Sequence, residues 1–199
     1  AVSVLEMKRL RVPTQGFTLI ELMVTMALAA ILMSVAVPSF TTFMRNAELT
    51  SFTNTLLAAV NAARGEAMKR GRYAMVVPKD GSSWDSGWTV FVDIDRSQSL
   101  TAGDITIFTS EPKTNALSIR GNGSASGSTP YIMYDASGYS KLKNGSFSAL
   151  TFEIKRNDVT GTELLTQTRR LKIASTGRPR ICTPKTSSDT TCNYTASAF

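Results

Sequence analysis

The sequence predicts an α+β fold, in which one long N-terminal helix precedes an antiparallel β-sheet. The chain has 199 residues, and an apolar run over residues 17–37 is followed by apolar positions that recur every three or four residues. That spacing is typical of an amphipathic helix. From Arg72 onward apolar and polar residues alternate with a period of two, which is typical of short strands. A helix followed by many short strands indicates α+β architecture.

The apolar run over residues 17–37 is long enough to cross a bilayer, since a span needs about 20 such residues. Three basic residues precede it, namely Lys8, Arg9 and Arg11. Positive charge on one flank predicts that this flank stays in the cytoplasm. We therefore predict a single pass through a bacterial inner membrane, with everything after Pro38 on the periplasmic side.

Glu21 lies within this apolar run, where a carboxylate costs roughly 2.5–3.5 kcal/mol at the centre and less near an end. One interpretation is that Glu21 lies one turn from the membrane surface and remains hydrated. The other starts from the residues before it. A short basic leader that ends in Gly16, followed by Phe17 and then by Glu21, resembles the type IV prepilin signature.

The resemblance extends over the letters GFTLIELMV, residues 16–24. It implies that a prepilin peptidase cleaves between Gly16 and Phe17 and methylates the new amino group of Phe17. It also implies that Glu21 neutralises this amino group on a neighbouring subunit, so other major and minor pilins or pseudopilins are expected partners. Residues 1–16 are then a cleaved leader, and the anchor over residues 17–37 stays on the mature protein.

The helix pattern continues beyond Pro38, a residue that usually bends a helix, so residues 38–71 are predicted as its soluble part. One apolar stripe recurs at steps of three and four, formed by Leu49, Phe52, Leu56, Val60, Ala63 and Ala67. Lys69, Arg70 and Gly71 form a helix stop signal. We predict one helix from Phe17 to about Arg70, with the stripe of its second half packed on the sheet.

Residues 72–199 are predicted to form a β-rich domain with a basic C-terminal region. Candidate strands cover residues 73–77, 88–95, 105–109, 117–120, 131–134, 150–154 and 170–174. Gly, Ser and Asn clusters separate them, and the longest, residues 121–130, predicts a mobile loop.

The helix end and the second strand sharpen the resemblance. The letters LLAAVNAARGEAMKRGR and then GWTVFVDID resemble the minor pilins and pseudopilins of the GspH/FimT family. Arg64, Glu66 and Ala67 fit the family's helix end, although Gly65 stands where a polar residue is commoner. The resemblance implies a type IV pilin fold.

Catalytic and metal sites have little support in the sequence. There is no His, and no Gly-x-Ser-x-Gly or Ser-x-x-Lys context surrounds a Ser, so we expect neither an enzyme nor a cofactor. Asp93, Asp95 and Asp104 could offer oxygens to Ca²⁺, but the spacing lacks the features of an EF-hand loop. We interpret them as a polar strand end and loop, and predict no metal site.

The last 31 residues are basic. From Arg169 onward the charged residues are Arg169, Arg170, Lys172, Arg178, Arg180 and Lys185, against Asp189 alone. Such a run is often only a solvated face. Pro179, however, restricts Arg178 to an extended conformation. Alternate residues of an extended chain point to the same side, roughly 6.6 Å apart, so Arg178 and Arg180 could contact successive phosphates.

Cys182 and Cys192 follow this segment. The predicted export to an oxidising compartment makes a disulfide between them expected. The disulfide could tether the C-terminal tail, support the two arginines, or do both.

Gly177-Arg178-Pro179-Arg180 also resembles the Gly-Arg-x-Arg motif of FimT-type minor pilins of natural transformation, where it implies binding of incoming DNA. We predict that Arg178 and Arg180 bind double-stranded DNA without sequence preference, supported by Lys172, Arg170 and Lys185. Tyr194 is the candidate for base stacking. The alternative is a structural subunit, either a minor pilin that primes pilus assembly or the H pseudopilin of a type II secretion system.

Overall fold

The computed structural model describes residues 16–195, so the predicted leader lies outside the described residues except for Gly16. Helix α1, Leu19–Arg70, is the first element and runs without interruption through Pro38. It begins after Phe17 because Thr18 caps it. The Thr18 hydroxyl accepts the backbone N–H of Glu21 (3.2 Å), and the Glu21 carboxylate accepts the backbone N–H of Thr18 (3.4 Å). This reciprocal arrangement is a capping box.

The chain divides into two compact units at Phe43 and Met44. In the described part of the first unit, the apolar side chains from Phe17 to Phe43 are almost all exposed. Helix α1 is long and apolar enough to cross a membrane, and its apolar window has no buried residues. The first unit therefore has the properties of a membrane anchor.

The second unit contains two antiparallel four-stranded sheets, where the sequence predicted one. The first sheet has the order β3-β2-β1-β5 and the second has the order β4-β6-β7-β8. The strands are β1 Tyr73–Pro78, β2 Trp88–Asp93, β3 Ile105–Thr109, β4 Leu117–Gly121, β5 Ile132–Tyr134, β6 Leu150–Arg156, β7 Thr168–Ile173 and β8 Pro179–Cys182. A one-turn helix, α2, covers Glu163–Thr166.

All seven predicted strands are present, β3 with the predicted ends and the other six with shifted ends, whereas β8 was not predicted as a strand. The sequence predicted only an extended run around Pro179, and proline lacks the backbone N–H that a strand interior uses. The structure accommodates Pro179 as the first residue of β8, on the edge of the second sheet.

The core lies between the second half of α1 and the sheets. The predicted stripe is buried except for Phe52, which is half-buried and meets Trp88 edge to face at 5.4 Å. Thr53 and Ala59 are also buried, although the stripe did not include them. Thr53 is accommodated because its hydroxyl donates to the backbone oxygen of Leu49 (2.7 Å).

Strand β2 is buried along its whole length, not on one face alone as the alternation predicted. Its second face is covered because Phe91 packs with Met75 and Met133 in a separate small cluster. The predicted loop over residues 121–130 also contributes to the core. Ala125 is buried, and its backbone oxygen accepts the indole N–H of Trp84 (2.9 Å).

A buried ion-pair group joins helix α1 to the end of β6. The side chain of Arg156 is 5% exposed and pairs with Glu48 and Asp158. The hydrogen bond from Arg156 holds the pKa of both carboxyls below their usual range. A buried cation needs such partners, so this group fixes the helix relative to the second sheet.

Candidate nucleic-acid interface

The Gly177-Arg178-Pro179-Arg180 segment forms the turn and second strand of a hairpin with β7. The backbone N–H of Ala174 donates to the backbone oxygen of Arg178 (3.1 Å), and the backbone N–H of Gly177 donates to the backbone oxygen of Ala174 (2.8 Å). In the ladder that follows, Ile173 pairs with Pro179 and Lys172 pairs with Arg180. The segment is therefore held by backbone pairing with β7 on the edge of the second sheet.

Gly177 is required by the geometry of this turn. Its φ is +81°, and a Cβ at this position would lie 1.8 Å from the backbone oxygen of Gly138. Only glycine tolerates this backbone conformation and this approach together. The glycine of the motif thus serves the turn that presents the arginines.

Two contacts join the turn to the end of β5 and to the loop that follows it. Ser140 donates its backbone N–H to Ser175 (3.2 Å), and the hydroxyl of Tyr134 donates to the backbone oxygen of Gly177 (3.2 Å). Arg64 of helix α1 bridges both segments, because its guanidinium donates to the backbone oxygens of Gly138 (3.0 Å) and Thr176 (3.5 Å). Arg64, which fits the family's helix end, thus positions the turn.

Arg178 and Arg180 flank Pro179, and both are exposed. The guanidinium of Arg180 donates to the backbone oxygen of Thr191 (2.7 Å), which anchors it to the disulfide loop. Within residues 16–195 the side chain of Arg178 has no hydrogen bond or ion pair. These two side chains present positive charge at the edge of the sheet.

The predicted role of Lys172 in phosphate binding is wrong. Lys172 is fully buried, and its Nζ donates to the side-chain oxygen of Asn193 (2.8 Å). Burial lowers the pKa of this amine, and the nearby charges of Arg180 and Arg170 lower it further. The sequence could not reveal this, because Asn193, which accepts the hydrogen bond from Lys172, lies 21 positions later in the chain.

The predicted role of Arg170 in phosphate binding is also wrong. Its guanidinium makes hydrogen bonds of 2.9 and 2.6 Å to the carboxylate of Glu153 and donates to the backbone oxygen of Cys192. The side chain is only 14% exposed. Arg170 therefore supports the C-terminal segment, and it shares the Glu153 carboxylate with Arg120.

Lys185 remains a candidate because its side chain is exposed. It lies in the loop that the disulfide closes, together with Asp189. Several groups donate hydrogen bonds to the Asp189 carboxylate and hold its pKa well below the usual range. The backbone N–H of Lys185 has the largest effect. This loop therefore carries one fixed negative charge beside Lys185.

The predicted disulfide between Cys182 and Cys192 is confirmed, with the two Cα atoms 5.9 Å apart. It directs the next residues across the polar face of the second sheet. Tyr194 donates its hydroxyl to Gly121 (2.8 Å), and its ring lies 4.4 Å from the guanidinium carbon of Arg120. Tyr194 is thus engaged by the sheet through its hydroxyl and its ring, and its role in base stacking stays a prediction.

Oxygens of Asp93, Asp95 and Asp104 lie within 4.8 Å of one another. Backbone N–H groups of the same loop approach them closely: Ile94 donates to Asp104 (2.8 Å), and Ser97 and Gln98 donate to Asp93 (3.1 and 3.0 Å). Burial raises the pKa of Asp93. These contacts are those of a hydrogen-bonded loop that ends strand β2.

Two known family models match parts of this chain. Residues 53–177, more than half of the chain, match the family described as type II transport protein GspH. The chain belongs to the GspH family. Residues 13–37 match the prokaryotic N-terminal methylation motif, which implies processing by a prepilin peptidase and assembly with other pilins.

A solved structure shares the fold of this GspH-family chain. The type IV minor pilin FimU of Pseudomonas aeruginosa is 20% identical, covers 72% of this chain and 98% of its own, and superposes with a TM-score of 0.52. The minor pseudopilin EpsH of Vibrio cholerae is 13% identical, with 70% and 99% covered and a TM-score of 0.47. No curated protein matches the chain. The predicted pilin fold is confirmed, and a minor pilin or pseudopilin role is supported.

Proposed function

We propose that this GspH-family protein is a minor pilin of a type IV pilus that binds extracellular double-stranded DNA during natural transformation. Arg178 and Arg180 make the phosphate contacts, and Lys185 adds to them. The observation that carries the proposal is the exposure of both arginines, Arg178 in the turn that requires Gly177 and Arg180 on the edge strand β8.

The local structure supports this role because it restricts the backbone of Arg178 and the side chain of Arg180 before any ligand binds. The backbone of Arg178 closes the turn, and the guanidinium of Arg180 is held on Thr191 at 2.7 Å. Side chains that are already ordered lose less entropy when they bind. Phosphate contacts carry no base information, so binding is independent of sequence and weakens strongly with salt.

Processing and location follow from the N-terminal region. In this proposal the peptidase cleaves after Gly16 and methylates Phe17, and Glu21 neutralises that amino group in the filament. The β-rich unit lies in the periplasm before assembly and at the cell surface afterwards. The methylation-motif match and the apolar helix support this arrangement.

The test is a DNA titration of the processed protein in detergent micelles, at several salt concentrations, with circular duplex DNA as ligand. Wild type is compared with the double variant Arg178→Gln/Arg180→Gln. We expect the variant to bind at least about tenfold more weakly and to show a salt dependence shallower by about one to two phosphate contacts.

The matched control is Lys69→Gln/Lys79→Gln, which removes the same charge at two other exposed positions. It should bind as wild type does apart from a small loss of long-range attraction. Equal binding by all three proteins, or no binding at low salt, would reject the DNA role.

A second candidate is a structural subunit, either a pilus-priming minor pilin or the H pseudopilin of a type II secretion system. The description of the matching family model favours it. In that case deletion of the gene abolishes pilus assembly or protein secretion, and the Arg178→Gln/Arg180→Gln variant restores the lost activity fully.

A further inference from the structure

A pair of exposed aromatic rings lies next to the turn that presents Arg178. Tyr139 is 41% exposed and Phe147 is 59% exposed. Their centroids are 5.5 Å apart and the rings meet edge to face, with an angle of 70°. In the β-rich unit, rings this accessible are unusual, because most aromatic side chains there are buried or half-buried.

The backbone fixes where this pair lies. Tyr139 stands between Gly138, whose oxygen closely approaches Gly177, and Ser140, which donates its backbone N–H to Ser175 (3.2 Å). Phe147 is brought to Tyr139 by the short pairing of Lys141 with Phe147. The rings are therefore on a loop that is bonded directly to the Ala174–Arg178 turn.

Lys141 holds the orientation of Phe147. Its Nζ lies 3.5 Å from the ring centroid and contacts the backbone oxygen of Gly145 (3.4 Å) and the carboxylate of Asp135 (3.9 Å). A cation over one face of an aromatic ring is attracted to it. Because Lys141 is held from three directions, it orders the ring and leaves the rest of Phe147 accessible.

We infer that Tyr139 and Phe147 stack against unpaired bases of DNA whose phosphates are contacted by Arg178 and Arg180. Proteins that bind single strands combine cationic groups along the backbone with aromatic rings for the bases. Both components occur here on neighbouring segments, and the positive charge of the two exposed arginines favours a polyanion over an apolar protein surface. This inference rests on the proposed function and extends it from duplex DNA to single strands and frayed ends.

The experiment measures binding of a short single-stranded oligodeoxythymidine and of closed circular duplex DNA by the detergent-solubilised protein. The variants are Tyr139→Ala, Phe147→Leu and their combination, and the control is Leu100→Ala, which shortens another exposed apolar side chain. We expect the combined variant to bind the single strand at least about fivefold more weakly, with duplex binding and melting temperature unchanged.

A second measurement uses the same oligonucleotide with 5-bromodeoxyuridine, irradiated in the complex and mapped by mass spectrometry. Crosslinks at Tyr139 or Phe147 support direct base contact. If neither substitution changes single-strand binding, while duplex binding still requires Arg178 and Arg180, this inference is overturned and the proposed function remains intact. Equal losses for single strand and duplex also overturn it, since the rings then contact something other than bases. No binding of either DNA rejects both.

Discussion

Lys172 and Arg180 are opposite each other on adjacent strands, yet Lys172 is fully buried and Arg180 is exposed. Both are basic and both belong to the run that predicted a DNA-binding surface. Lys172 lies on the inner strand β7, where its Nζ donates to Asn193, whereas Arg180 lies on the edge strand β8. The identity of a residue thus defines its charge, whereas its neighbours decide whether a ligand can reach that charge.

Gly177→Ala is expected to lower the free energy of unfolding by about 1–3 kcal/mol, because the new Cβ strains the turn and displaces the Gly138 backbone. Chemical denaturation of the detergent-solubilised protein measures the loss. Gly103→Ala is the control, since a Cβ there meets no atom closer than 3.9 Å and should change stability by less than about 0.5 kcal/mol. Similar stabilities for the two variants would contradict the role of Gly177.

At the scale of elements, the C-terminal segment acts as a strap over the polar face of the second sheet. It is bonded to strands β7 and β4 at three places. Arg170 donates to Cys192, Lys172 donates to Asn193, and Tyr194 donates to Gly121. The same segment includes the loop that holds Arg180 through Thr191. The strap therefore links the buried cations to the exposed edge.

Removal of the disulfide tests this linkage. Cys182→Ser/Cys192→Ser is expected to lower the free energy of unfolding by about 2–3 kcal/mol, because the short loop no longer restricts the unfolded chain. Urea denaturation followed by circular dichroism provides the measurement, and reduced wild type should reproduce the variant. An unchanged midpoint would mean that the strap is held without the disulfide.

At the scale of the whole molecule, stability should decline in acid. Burial alone would raise the pKa of Glu153, but the hydrogen bonds from Arg170 and the charge of Arg120 outweigh it and hold the pKa below its usual range. The pKa values of Glu48 and Asp158 are lowered as well, chiefly by hydrogen bonds from Arg156. The unfolded chain then binds more protons as the pH falls, so the stability that these groups contribute near neutral pH is lost as their folded pKa values are reached.

Glu153→Gln isolates one part of this effect. Near neutral pH the variant should be less stable by about 1.5–3 kcal/mol, because Arg120 and Arg170 lose a charged acceptor. Its stability should also change less with pH across the carboxylate range, since it lacks one of the groups that protonate. Melting temperatures of both proteins from about pH 7 down to about pH 3 measure this difference. Parallel curves would show that Glu153 does not contribute.

The sequence by itself determined the features that depend on composition and local spacing. The length of helix α1, its stop at Arg70 and the existence of seven strands follow from periods of 3.6 and two, which are local properties of the chain. The pairing of the two cysteines was also predictable, because no other cysteine competes for them. Family membership could also be inferred from the sequence, because the family's motifs are contiguous stretches of residues.

Only the tertiary structure decided which basic residues are accessible and which aromatic rings lie near them. The burial of Lys172, the pairing of Arg170 with Glu153, and the place of Tyr139 beside Gly177 all depend on segments that are distant in the chain. The exposure of a residue depends on what packs against it, and the local periodicity of the sequence carries no information about that. The arginines of the motif were identified from the letters, but the surface around them was decided by the fold.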